Sequence, residues 1–219
     1  MKQEVAVRYY DCDRAEMLQF VPGQARTTLE IGCANGRFST SLKRRQNCEA
    51  WGIELNADAA AIAALTLDKV LSGDVFEILD GLPDDYFDCV ICNDILEHLP
   101  VPERVLQGLK RKLASKGVIV ASIPNMRYLP VLYELLISRD WKYRDSGVLD
   151  RTHLRFFTAK SMDKLFVSSG YKLLQIKGLR IQTRPFYTLI FTLIYLLSLG
   201  FYGDTRYIQY ACVAGKASD

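Results

Sequence analysis

Two stretches of this chain carry the side chains able to do chemistry. One is Asn93-Asp94-Ile95-Leu96-Glu97-His98, and the other is Asp150-Arg151-Thr152-His153-Leu154-Arg155. His98 and His153 are the chain's only histidines. Imidazole titrates near neutral pH, so either could take a proton from a reacting hydroxyl. Asp94 is the adjoining acid. On a helix Asp94, Glu97 and His98 would share one face, and that face offers ligands for a hard divalent ion. The plainer reading has Glu97 and His98 hydrogen-bonding to the sheet top and the N-terminal region. It is favoured, so no metal is expected.

A second kind of chemistry is recognition. The apolar run Thr28-Leu29-Glu30-Ile31 leads into Gly32-Cys33-Ala34-Asn35-Gly36, which opens a helix. The next strand ends on Glu54, eighteen residues after Gly36. Glycine lets backbone approach a nucleotide-type ligand, and the acid accepts hydrogen bonds from ribose hydroxyls. A dinucleotide-binding turn would also want glycine at position 34, where alanine stands. A nicotinamide-dependent oxidoreductase is further disfavoured because Tyr128 and Tyr133 are followed by Leu132 and Ile137, not by the lysine of a Tyr-x-x-x-Lys pair.

Four landmarks fall in order: Glu30-Ile-Gly32-Cys-Ala34-Asn-Gly36, Glu54, Gly73-Asp74-Val75, and Phe87 through Leu99. With these residues the chain resembles the class I S-adenosylmethionine (SAM)-dependent methyltransferases over residues 25–125. The resemblance implies that SAM is held by Glu30, Gly32, Cys33, Gly36, Glu54, Leu55, Asp74, Val75, Asn93 and Asp94. Asp74 would meet the adenine amine, and Asn93 and Asp94 the methionine end. It implies His153, His98 and Asp94 as the catalytic candidates. Residues 149–158 are similar to a segment of bacterial methyltransferases of sugar and polysaccharide pathways. That likeness implies a small-molecule acceptor, a hydroxyl of a sugar or of a glycan or lipid-linked precursor. A quinone-type acceptor is the alternative, since some ubiquinone-pathway O-methyltransferases carry a similar acid-x-x-Glu-His run with a metal. A non-catalytic SAM-fold assembly module is the third reading, and the intact Glu54 and Asp74 weigh against it.

The elements that must position these groups are legible as alternating strands and helices. Strands are expected at Thr27–Gly32, Ala50–Leu55, Lys69–Val75, Phe87–Asn93, Gly117–Ile123, Tyr171–Gly178 and Tyr207–Ala214. Helices are expected at 13–20, Gly36–Arg45, Asp58–Leu67, Pro102–Leu113, Val131–Ser138 and 158–169, with Thr158 as N-cap. Strands and helices alternating at this spacing predict an α/β, Rossmann-like, seven-stranded, mostly parallel sheet with an antiparallel last strand and helices on both faces. A single domain over 1–219 is expected, with insertions at 126–157, a substrate lid, and 185–203.

Composition narrows the partners. The net charge is +3 and the basic residues are scattered, apart from Lys43-Arg44-Arg45 at a helix end. No basic stripe marks a nucleic-acid binder, so no nucleic-acid partner is expected. Cys89 and Cys92 fall three apart in a strand, on opposite faces, and no second pair stands at zinc spacing. Cys12, Cys33, Cys48, Cys89, Cys92 and Cys212 therefore read as free thiols, in a reducing, cytoplasmic setting. The start lacks the basic-then-apolar pattern of a signal sequence. From Pro185 to Gly203 there is no charged residue. Burial in the domain itself or in a homodimer interface is the favoured reading of that segment. The sharper one is peripheral contact with a membrane that carries a lipid-linked substrate.

Overall fold

The computed structural model describes residues 14–181 and 183–217. Tyr9, Tyr10, Cys12 and the start of the helix expected at 13–20 lie outside them; the rest of that helix is a 3-10 helix, Ala15–Phe20. Seven strands form one sheet: β1 Thr27–Ile31, β2 Glu49–Glu54, β3 Lys69–Ser72, β4 Phe87–Asn93, β5 Leu113–Pro124, β6 Tyr171–Ile181 and β7 Tyr207–Lys216. Their order is β3-β2-β1-β4-β5-β7-β6. β7 pairs antiparallel with both β5 and β6, and the remaining pairings are parallel. This is the expected α/β, Rossmann-like architecture.

β4 shows why the central strands read as unbroken apolar runs. Val90 and Cys92 pack on one face of the sheet, with Leu106 and Leu109. Cys89 and Ile91 pack on the other, with Phe38 and Leu42. A strand covered on both faces has no polar side to alternate with. Cys89 and Cys92 thus point to opposite faces, and the five described cysteines are buried and free.

The helices are α1 Arg37–Arg45, α2 Ala57–Ala63, α3 Val75–Ile78, α4 Pro102–Lys112, α5 Leu129–Leu136, α6 Ala159–Ser168 and α7 Pro185–Leu197. α6 opens on a capping box in which Thr158 and Ser161 satisfy each other's backbone amides. Several boundaries depart from expectation, among them the end of α2, at Ala63 rather than Leu67. β3 stops at Ser72, because Asp74 caps α3 by accepting from the Phe76 amide at 2.9 Å. β5 begins at Leu113, directly after α4, rather than at Gly117. The run from Asp94 to His98 is not a helix start: Asp94 has φ +49°, and only Leu96–His98 forms a 3-10 turn.

α7 also departs from one half of the favoured reading, burial within its own domain. None of its residues is buried, so it is not an internal helix of its own domain. No described helix is long and apolar enough to cross a membrane.

Candidate active site

The chain runs outward from β1 to β3 and then returns to β4 beside β1. Loops after β1 and β4 therefore diverge, and a crevice opens at the carboxyl ends of these two strands, where ligands of open α/β sheets bind.

The turn after β1 hangs on the end of β2. The amides of Gly32 and Cys33 donate to the Ile53 carbonyl at 2.8 and 3.1 Å. Gly32 and Gly36 have φ of +71° and +75°, the left-handed region that glycine enters freely. A Cβ on Gly36 would lie 3.1 Å from that of Ala63. Ala34 also sits in that region, at φ +48°, which costs an alanine about 1 kcal/mol. Its amide donates to Glu54 Oε2 at 2.8 Å, while Glu54 Oε1 accepts from the Asn56 amide at 2.9 Å. Glu54 is thus buried at the end of β2 with each oxygen held by one backbone amide, leaving lone pairs for a ligand hydroxyl. Cys33 is buried, whereas Leu55 and Asp74 are exposed at the rim and Val75 is buried behind them.

Beneath the turn, Glu30 is 3% exposed and accepts from Ser39 Oγ at 2.7 Å. Burial raises its pKa to about 7. Asn93 lies near enough to favour the ionised form of Glu30, yet neither of its buried amide atoms meets hydrogen-bond geometry with a protein partner. A buried orphan amide is costly unless something else pairs with it. Here it sits at the end of β4, where a ligand would lie.

The fourth-strand run divides between two tasks. Asp94 forms an ion pair with Arg14 Nη1 at 2.6 Å and accepts from Ser122 Oγ at 2.9 Å. Its carboxylate ties the N-terminal segment to the sheet. Glu97 is 1% exposed and neither side-chain oxygen has a hydrogen-bond partner. This differs from the hydrogen-bonded role expected of it. Burial first, and the charge of Asp94 second, push its carboxyl well above the usual range.

The structure brings together Glu97, His98 and His153. The rings of His98 and His153 lie 4.7 Å apart, edge to face. His98 Nδ1 is 3.2 Å from the Thr152 carbonyl. His153 Nδ1 is 3.1 Å from the Val148 carbonyl, which fixes the proton on Nδ1 and leaves Nε2 as the basic nitrogen. Nε2 stands 4.0 Å from Glu97 Oε1. Burial and the neighbouring His98 lower the His153 pKa. That shift and the opposite one at Glu97 each favour the uncharged form, which disfavours an ion pair between them. One ligand atom from each of the three residues falls within 4.8 Å of the others, so the trio, rather than Asp94-Glu97-His98, has metal-site spacing. Pro124, Met126, Val148 and Phe156 join Glu97 and His153 around a small recess.

Asp150 accepts from the Thr152 amide and hydroxyl at 2.8 and 2.6 Å, and Arg155 donates to the Pro100 carbonyl. Both shape the loop that carries His153. Sequence reasoning missed Arg14 and Ser122; nothing in the local sequence ties either to Asp94.

Residues 7–176 match the methyltransferase domain family. The chain belongs to that family, and membership implies SAM as the methyl donor. It is 28% identical over 163 residues to a ubiquinone biosynthesis O-methyltransferase of Psychrobacter arcticus, covering 70% of this chain and 62% of that protein. It is 30% identical over 118 residues to the Nitrosomonas europaea enzyme of the same name, covering 51% and 49%. The chain thus spans about half to six-tenths of the length of these two relatives. A solved SAM-dependent methyltransferase of Archaeoglobus fulgidus superposes with a TM-score of 0.68 at 22% identity, over 92% of each chain; at that identity the likeness is one of fold.

Proposed function

We propose that this protein is a SAM-dependent O-methyltransferase whose acceptor is a phenolic hydroxyl on a small, quinone-type ring. The observation that carries the reading is His153, a buried imidazole with a lowered pKa that lines a small recess with Glu97, Arg155, Met126, Val148 and Phe156 at the carboxyl edge of the sheet.

SAM, when bound, supplies an electrophilic methyl group. Glu54 is oriented by the Ala34 and Asn56 amides to accept from ribose hydroxyls. Asp74 and Val75, with Leu55 at the rim, would meet the adenine, as the resemblance implies. Gly32 and Cys33 let the methionine end approach the backbone, and the orphan amide of Asn93 pairs with its polar groups. His153 Nε2 would take the proton of the acceptor hydroxyl, and the methyl group supplied by SAM would leave S-adenosylhomocysteine behind. Holding the two reactants in line supplies much of the rate.

The choice of acceptor follows from acidity. An imidazole with a lowered pKa is a weak base, and proton transfer is efficient when the pKa values of donor and base approach each other. A phenol near 10, judged from tyrosine, is a far better match than the tightly held proton of a sugar hydroxyl. Met126, Val148 and Phe156 suit an aromatic ring better than a sugar. The relatives named ubiquinone biosynthesis O-methyltransferase support the quinone-type acceptor. Nothing comparable supports the sugar-pathway acceptor.

The test is calorimetric titration with S-adenosylhomocysteine, with NADH as control, followed by methyl transfer from labelled SAM to a dihydroxybenzoate and to a hexose. Binding of the first ligand alone and labelling of the phenol are expected. Labelling of the hexose alone would overturn the acceptor, and binding of neither nucleotide would overturn the enzyme.

A further inference from the structure

We propose that α7, with the end of α5, docks in the plane of an anionic lipid bilayer. The inference does not depend on the methyl-transfer reading.

The first observation is an apolar surface that nothing described covers. Within and just after α7, Leu189, Leu193, Leu196, Leu197, Leu199 and Phe201 are exposed, Leu199 at 97%. α5 extends the same surface. Tyr133 meets Phe186 and Tyr187 at ring separations of 5.6 and 5.9 Å, and Leu135, Leu136 and Ile137 stand exposed beyond them. Contiguous apolar surface of this kind marks an interaction site.

The second observation is charge. From Lys164 to Gly203 the chain has five basic residues, Lys164, Lys172, Lys177, Arg180 and Arg184, and no acid. Lys172, Lys177, Arg180 and Arg184 are exposed along the edge strand β6 and at the start of α7, Arg180 being paired with Glu16 at 2.7 Å. Lysines on an edge strand also discourage strand pairing, but Arg180 and Arg184 fall where the strand gives way to the helix. A second copy would bring this positive strip against itself. An anionic headgroup layer meets it with opposite charge, each cation near such a surface adding to the attraction.

The third observation is length. At 13 residues α7 is too short to span a bilayer. Arg184 is its N-cap, and Arg206 lies 5.3 Å over the ring of Phe191 at mid-helix. Tyr187, Tyr195 and Tyr202 supply the amphipathic rings typical of the headgroup level. An in-plane helix is the geometry these features fit. β5, β6 and β7 place α5 and α7 at the carboxyl edge of the parallel strands, the edge that holds the active-site crevice.

The experiment is co-sedimentation of the full chain with phosphatidylcholine vesicles, with and without phosphatidylglycerol. The wild type is expected in the pellet with phosphatidylglycerol and at least five-fold less without it. The double variant Leu197→Asp, Leu199→Asp is expected to partition at least ten-fold more weakly while melting at the wild-type temperature. Should that variant misfold, Leu136→Asp with Ile137→Asp tests the same surface from α5. A wild type that stays in the supernatant with both vesicles, or binds both equally, overturns the proposal. So does a wild-type dimer that the aspartates dissociate, which would assign the face to a second copy.

Discussion

His153 Nδ1 faces the Val148 carbonyl at 3.1 Å, five residues back along its own loop. This one contact sets which ring nitrogen is basic and turns it toward Glu97. Removing it by substitution at position 153 tests the base directly. His153→Ala is expected to lower kcat by about 10²- to 10⁴-fold, the usual worth of a general base, with S-adenosylhomocysteine affinity within two-fold. Steady-state rates and calorimetry on the same preparation check both halves; an equal loss in both would make the histidine structural.

The pH dependence follows from the same burial. The folded pKa of His153 lies below the ordinary 6.5. The base is therefore in its active, neutral form throughout the neutral range, and activity is lost as pH falls through that lowered value. A kcat/KM profile should be level from about pH 7 to 8 and fall on the acid side, below about 6.5. A limb above 7 would implicate another group.

Glu97, His98 and His153 have cation-site spacing, so chelation separates a proton-transfer role from a metal one. Dialysis against EDTA is expected to leave turnover within two-fold of the untreated enzyme. Loss of activity restored by a divalent ion would show that the trio works as ligands.

Glu30 links the pocket to stability. Its pKa is about 7 in the fold against 4.5 unfolded, so the folded state binds more protons in that window. Stability from this group is full below about 4.5 and declines as pH rises toward 7, by roughly 3 kcal/mol at most. Glu30→Gln keeps an acceptor for Ser39 and removes the titration. Urea unfolding at pH 5 and pH 8 should show a smaller fall in stability for the variant than for the wild type. Equal falls would mean that Glu30 is ionised at both values.

Glu54→Ala leaves the amides of Ala34 and Asn56 without their acceptor. A loss of at least ten-fold in S-adenosylhomocysteine affinity is expected, because the turn loses its anchor and the ribose its acceptor. Glu54→Gln, which retains one oxygen, should fall between. Calorimetry reads both, and unchanged affinity in the alanine variant would remove Glu54 from the pocket.

Much of this was legible in the sequence because it is local. β4 was expected at its observed bounds, since an apolar run closed by Asn93-Asp94 has one reading in a covered sheet. The Gly32 to Gly36 turn was legible because positive φ selects glycine. What escaped was either long-range or a matter of neighbours. Arg14 reaches Asp94 across 80 residues, and no local pattern encodes that. Asp94 takes φ +49°, which interrupts the helical face drawn through Glu97 and His98. The exposure of α7 escaped because apolarity predicts burial only where the fold supplies a partner surface. The β6–β7 edge supplies only Ile181 and Arg206 beside Tyr187, Thr188 and Phe191, and leaves the leucines of α7 exposed.

A last consequence concerns Gly52, which lies in β2 beneath the turn. A Cβ there would stand 2.5 Å from Cys33 Sγ. The two positions thus compete for one volume, and their histories are bound together. Gly52→Ala alone should cost about 1–3 kcal/mol of overpacking, and much less once Cys33→Ala has made room, a non-additivity expected of touching sites. Filling position 52 is therefore easiest once position 33 has shrunk, although Leu67 Cδ1 at 3.2 Å still bounds the space.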